Sequence, residues 1–119
     1  MGVDLRLLPL DYEGDACSYS HTVLSCDRRR DLWAVINKFK TKPVPEYFTS
    51  FLGREGDDGD YHYGQTHKNP YGSEIGTITV KQLRKCVDHE GVQESQKNRA
   101  IWAYLACLNP KTRIALFWH

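Results

Sequence analysis

The chain has 119 residues, 40% of them apolar and 26% charged, with 16 Lys+Arg against 15 Asp+Glu for a net charge of +1. That length fits a single globular domain, since one domain takes about 100–200 residues, and it is enough to close a core without disulfide or metal staples. Near-neutrality argues against nucleic acid held through an overall field, and no apolar run approaches the ~18 residues of a membrane span. The balance is uneven all the same. Residues 1–59 carry 8 basic and 10 acidic side chains, and residues 60–119 carry 8 and 5.

Met1-Gly2-Val3-Asp4 lacks the basic start of a signal peptide, so a cytoplasmic setting is expected. Cys17, Cys26, Cys86 and Cys107 then read as reduced thiols. None forms a C-x-x-C pair, which leaves zinc-knuckle and thioredoxin-type chemistry without a motif.

In chain order, Val3, Leu5 and Leu7 alternate with Asp4 and Arg6 and predict a half-buried strand stopped at Pro9. Residues 11–16 carry three acids and Gly14 and predict a solvated loop, and 17–24 a second strand. Asp27 is the expected N-cap of a helix to about Lys40, with Leu32, Val35, Ile36 and Phe39 on its apolar face. Lys42-Pro43-Val44-Pro45 leaves that helix extended.

Tyr47, Phe48, Phe51 and Leu52 fit either a helical turn or a strand. The favoured reading is a hairpin, with a turn over 53–59 and Tyr61-His62-Tyr63 as the returning strand. Asn69-Pro70-Tyr71-Gly72 is a β-turn signal. Thr79 and Gln82 stand at capping-box spacing and open a helix to about Asp88, with Val80, Leu83 and Val87 on one face and Gly91 as its stop. A further helix runs from about Glu94, carries Ile101, Tyr104, Leu105 and Leu108, and ends at Asn109-Pro110. In 112–118 both alternating faces are apolar, as in a central strand. This order predicts an α+β fold, a single small domain with an antiparallel or mixed sheet of about four to five strands under about three helices.

The oddest local feature is Arg28-Arg29-Arg30, placed in the first turn of the predicted helix. There the macrodipole disfavours each cation by about 0.3–1 kcal/mol at low salt. Guanidinium groups beside free helix N–H groups can bind phosphate or an acidic partner. The plainer reading is a solvated patch balanced by Asp27 and Asp31. A second candidate region is 57–71, where Asp57, Asp58, Asp60, His62 and His67 mix with Tyr61, Tyr63 and Tyr71. The five-residue spacing of His62 and His67 puts them on opposite faces of a strand, and the acidic run fails the calcium-loop pattern. No metal is therefore assigned, and the tyrosines suit stacking on a flat ligand or a protein interface better. Cys86 and His89 lie three apart on a predicted helix, like Cys17 and His21 on a strand, without a third catalytic member. Dinucleotide, P-loop and G-x-S-x-G motifs are absent. No catalytic residue and no cofactor is assigned.

Several pieces together resemble small, uncharacterised proteins encoded by bacteriophages and prophages. They are Tyr63-Gly64-Gln65-Thr66, Asn69-Pro70-Tyr71-Gly72, the run from Asn98 to Leu105 (NRAIWAYL), Phe117-Trp118-His119 and the opening Gly2-Val3-Asp4-Leu5 with Leu7-Leu8-Pro9. That resemblance implies a setting, in which small accessory proteins often inhibit host defence. The expected function is thus a non-enzymatic accessory protein that neutralises a host-defence protein or an anionic nucleotide messenger in the bacterial cytoplasm. Its candidate binding residues are Arg28, Arg29, Arg30, Tyr61, His62, Tyr63, His67 and Tyr71. A homo-oligomer is left open. The alternatives are a metal-dependent hydrolase or nuclease using 57–67, and a virion structural or assembly protein.

Overall fold

Two periodicities in the sequence, alternating and helical, resolve into a main sheet with helices packed on one face, beside a separate two-stranded sheet. The computed structural model describes residues 3–13, 16–19, 22–44, 48–49, 54–55, 61–62, 68–69 and 71–119, and for 12–13, 16–19, 48–49, 54–55 and 61–62 the backbone alone. In chain order the elements are β1 (Leu5–Glu13), β2 (Ala16–Tyr19), β3 (Leu24–Ser25), α1 (Arg30–Ile36), β4 (Lys42–Pro43), β5 (Phe48–Thr49), β6 (Arg54–Glu55) and β7 (Tyr61–His62). β8 (Gly76–Thr79), α2 (Val80–Arg84), α3 (Glu90–Gln93), α4 (Gln96–Ala106) and β9 (Arg113–Trp118) follow. None of the described helices is long and apolar enough to cross a membrane.

The main sheet runs β4-β8-β9-β1-β2-β5, with β3 also on β1. Its five-strand path from β4 to β2 is antiparallel, while β5 joins β2 in parallel. The α+β class expected from the sequence is therefore the observed one. The sheet is wider than expected through two-residue strands, and the helices number four among the described residues because the stretch after Thr79 breaks into α2 and α3.

β9 is the central strand its composition predicts, with Ile114 through Phe117 all buried. Its alternate residues feed two cores. Ile114 and Leu116 join Leu5, Leu7, Leu32, Ile36, Ile78, Val80, Leu83, Trp102 and Leu105 under the helices. Ala115 and Phe117 join Leu8, Leu10, Val44 and Ile75 on the opposite face. A period of two sorts them, because neighbouring side chains on a strand point to opposite faces.

β1 corrects two expectations. It does not stop at Pro9 but continues to Glu13, through part of the segment expected as a loop. Pro9 pairs with Ile114 on the β9 side. Backbone exchange between Asp4 and His119 sets the alternation, so that Leu8, and not Pro9, presents its N–H to β9. On the other edge, two residues separate Leu7 from Leu10, whereas four separate their partners Leu24 and Tyr19. Pro9 therefore falls at a break in register, where a missing N–H costs no ladder bond.

The helices are shorter than predicted. α1 begins at Arg30, with Arg29 as an N-cap that makes no side-chain cap bond, and it ends at Ile36. Asp27 is not the cap. The Thr79–Gln82 capping box does form, with Gln82 N–H donating to Thr79 Oγ1 at 3.2 Å and Thr79 N–H to Gln82 Oε1 at 2.8 Å. Val87 is exposed where a buried position was expected. Gly91 does not end a helix but sits buried within α3, where a Cβ would come within 2.7 Å of Leu32 Cβ. α4 starts from a Ser95 cap and ends before Asn109-Pro110. Its last carbonyls accept from Arg84 of α2, whose Nη2 reaches the oxygens of Leu105, Ala106 and Leu108. A cation there complements the negative end of the helix dipole.

The expected hairpin around 46–63 forms differently. Its paired strands are Arg54–Glu55 and Tyr61–His62, with Arg54↔His62 and Glu55↔Tyr61 in register. Phe48 and Thr49 pair instead with Cys17 and Ser18 of β2. The turn at 69–72 is as read. Gly72 N–H donates to Asn69 O at 3.0 Å, and Gly72 adopts φ +82°. An i→i+3 turn followed by a left-handed glycine is the three-residue hairpin loop, and only glycine takes that φ without strain.

Candidate functional site

Asn98 in α4 is fully buried. A buried amide must find partners for its polar atoms, and this one finds them across chain segments distant in sequence. Asn98 Oδ1 accepts from Asp27 N–H at 2.7 Å, and Nδ2 donates to Asp27 O at 3.2 Å and to Gly91 O at 2.9 Å. Asp27 is fixed from a second side, since Ser95 Oγ donates to its carboxylate at 2.6 Å. The segment carrying the arginines is thereby fastened to α3 and α4, not left as a free helix start.

The triplet then divides. Arg28 makes a two-pronged pair with Asp4, Nε to Oδ1 at 2.9 Å and Nη2 to Oδ2 at 3.0 Å. The Arg28 guanidinium holds the Asp4 carboxyl below its ordinary value. Asp4 in turn raises Arg28, with a smaller contribution from Tyr71. Arg29 bridges Asp31 at 3.1 Å and Glu94 at 2.9 Å, and its hydrogen bonds to Asp31 hold that carboxyl low as well. Arg30 has no ion pair among the described residues. The expectation that all three occupy the first helical turn is corrected: only Arg30 lies in α1. The balancing acids are Asp4, Asp31 and Glu94, and Asp27 is not among them.

Arg28 and Arg30 line a groove of about 730 Å³ between α1, the 69–74 turn and the end of β9. Its apolar wall includes Trp33, Ile36, Phe39, Leu116 and Trp118. Trp33 and Trp118 meet edge to face, with ring centroids 5.7 Å apart and planes at 79°. Trp33 is locked further by its Nε1–H, which donates to Val3 O at 2.8 Å. Tyr71 stands at the rim, 59% exposed. Its backbone is held by Asn69 Oδ1, which accepts from the N–H groups of Tyr71 at 2.9 Å and Ser73 at 3.2 Å. Asn37, Asn69, Ser73 and Glu74 add polar groups around the opening.

Of the residues singled out from sequence, the groove thus unites Arg28, Arg30 and Tyr71 and leaves Arg29 outside it. For Tyr61 and His62 the backbone lies in β7. Tyr63 and His67 fall outside the described residues, as do Asp57, Asp58 and Asp60. Among the described residues, no three His, Cys, Asp or Glu side chains come together to hold a metal.

Cys86 and His89 have structural work. Cys86 is buried, and desolvation raises its thiol, which disfavours the thiolate a nucleophile needs. His89 caps α3, its Nδ1 accepting from Gly91 N–H at 2.9 Å. Burial likewise pushes the Cys26 thiol up to about 12. Cys26, Cys86 and Cys107 form no disulfide among the described residues, and the side chain of Cys17 lies outside them.

Sequence reasoning missed Trp33 and Trp118 as site residues. Trp33 lies within the first predicted helix and Trp118 in the last predicted strand, and nothing local says that the two rings meet. Comparison of the chain with family models, with curated proteins and with solved structures finds no match.

Proposed function

We propose that the protein is a non-enzymatic binding protein whose groove holds an anionic nucleotide signal. We further propose that it serves as a phage accessory protein, removing that signal from a host defence system in the bacterial cytoplasm. The observation that carries the reading is the convergence of Arg28, Arg30 and Tyr71 on one groove floored by the Trp33–Trp118 pair. Its size supports a small-molecule ligand, since such sites run about 300–1,000 Å³, mostly apolar with a few directed polar groups. Aromatic faces suit a nucleobase, and a guanidinium such as Arg30, without a carboxylate partner among the described residues, suits a phosphate. The phage setting rests on the resemblance of the sequence segments, two of which contribute Asn69, Tyr71 and Trp118 to the groove.

The test is mass spectrometry of small molecules released by denaturing protein purified from a bacterial host, paired with plaque assays beside intact nucleotide-signalling defences. The expected result is a released nucleotide, together with plaque formation that is restored by the native protein and not by Arg30→Ala/Tyr71→Ala. Neither a nucleotide nor restored plaques in any such system overturns the proposal. A host protein recovered in place of a nucleotide turns it toward a protein target.

A further inference from the structure

A second concentration of positive charge lies apart from the arginine triplet. Lys40, Lys42 and Arg113 line a pocket of about 420 Å³ together with Thr41, Thr79 and Gln82, with no carboxylate in its wall among the described residues. Of this lining only Thr41 also borders the groove. Register explains the meeting of residues so far apart in sequence. Lys42 pairs with Thr77 across β4 and β8, and Thr79 pairs with Arg113 across β8 and β9, so Lys42, Thr77, Thr79 and Arg113 share one face of the sheet.

Arg113 is held in a fixed pose. Its Nε donates to Thr77 Oγ1 at 2.8 Å and its Nη2 to Thr77 O at 2.9 Å. Thr77 Oγ1 donates onward to Lys42 O at 2.9 Å, which ties the pose to the β4 backbone. Thr77 is buried beneath this arrangement. Arg113 Nη1 has no partner among the described residues, and none of the three cations has an ion pair there. A lysine beside a proline on an edge strand also blunts strand addition, and this accounts for Lys42 and Pro43. It does not account for Lys40, which precedes the strand, or for a pinned arginine on the inner strand β9.

We propose that this pocket is an anion site for a phosphoryl group, separate from the groove and independent of what the groove binds. A rigid guanidinium with donors left over, flanked by two flexible ammonium groups, matches the oxygens of phosphate or pyrophosphate. Converging like charges repel one another, and a bound anion relieves that repulsion.

The experiment is calorimetric titration with inorganic pyrophosphate and, separately, with ADP, at ionic strength held constant with chloride. Native protein is expected to bind pyrophosphate saturably with one site per chain. Lys40→Gln/Lys42→Gln should weaken binding by about tenfold or more, with the melting temperature retained because both side chains are exposed. Tyr71→Ala in the groove should leave pyrophosphate binding unchanged. If the double variant weakens ADP as well, the phosphoryl group read here is a nucleotide's; if it weakens pyrophosphate alone, the site takes free phosphate. Both patterns support the site. Absence of saturable pyrophosphate binding, or equal affinity in native protein and the double variant, overturns it.

Discussion

Arg28, Arg29 and Arg30 are neighbours in sequence yet have three different occupations, whereas Lys40, Lys42 and Arg113 are spread over more than seventy residues and share one pocket. In the triplet, carboxylates brought in from β1's approach and from the end of α3 absorb two of the charges, and among the described residues only Arg30 is without an ion pair. In the second set, sheet register brings Lys42 and Arg113 to one face beside Lys40, and among the described residues no acid lines their pocket. A run of like charges is therefore a poor guide to local potential. What decides is which partners the topology delivers.

The first way to break this contrast is to release the triplet from its anchor. Asn98→Ala removes three side-chain hydrogen bonds and leaves Asp27 N–H and Gly91 O without their partner. The expected loss is about 3 kcal/mol of unfolding free energy in urea titration, since each buried polar group left unpaired costs roughly 1–3 kcal/mol. Gly91→Ala attacks the same junction from α3, because its Cβ would press on Leu32 Cβ at 2.7 Å and approach Arg29 Cβ at 3.4 Å. Overpacking of this kind costs about 1–3 kcal/mol, and a lower denaturation midpoint at unchanged slope is the expected signature.

Smaller changes sharpen the division within the triplet. Arg30→Ala should leave stability within about 0.5 kcal/mol, as an exposed side chain without a partner does, while weakening a groove ligand by about tenfold. Asp4→Asn should act in the opposite sense, since it frees Arg28 to meet an anion. The expected gain in affinity is about two- to fivefold, the scale of an exposed ion pair.

Acid gives an independent check. The carboxyls of Asp4 and Asp31 titrate lower in the folded chain than in the unfolded one. Their support is thus present above the ordinary carboxylate value and is lost as pH falls through the lowered one. Stability measured in that acid range should fall less steeply for Asp4→Asn than for the native protein.

Much of the fold was legible because it rests on local rules. The capping box at Thr79 and Gln82, the glycine turn at 69–72 and the doubly apolar strand at 113–118 each satisfy their backbone groups within a few residues. Legibility ended where distant groups intervene. Asp27 looks like a helix cap, but the buried Asn98 and Ser95 claim it, and α1 starts later. Pro9 looks like a strand end, but a register break on its far edge accommodates it. Gly91 looks like a helix stop, but α3 needs it for close approach to α1. In the groove, arginine and tyrosine could be suspected from residue type, and Arg28, Arg30 and Tyr71 are the suspected residues that line it. The tryptophan wall required knowing that α1 lies over the end of β9.

Two wall residues of the proposed ligand groove are intrinsic reporters of its occupancy. Titrating cyclic and linear nucleotides while recording tryptophan fluorescence reads Trp33 and Trp118 directly, with the buried Trp102 as a constant background. A saturable change with at least one nucleotide is expected, abolished in Arg30→Ala/Tyr71→Ala at unchanged melting temperature. No saturable change with any nucleotide, or an identical titration in the double variant, would contradict it.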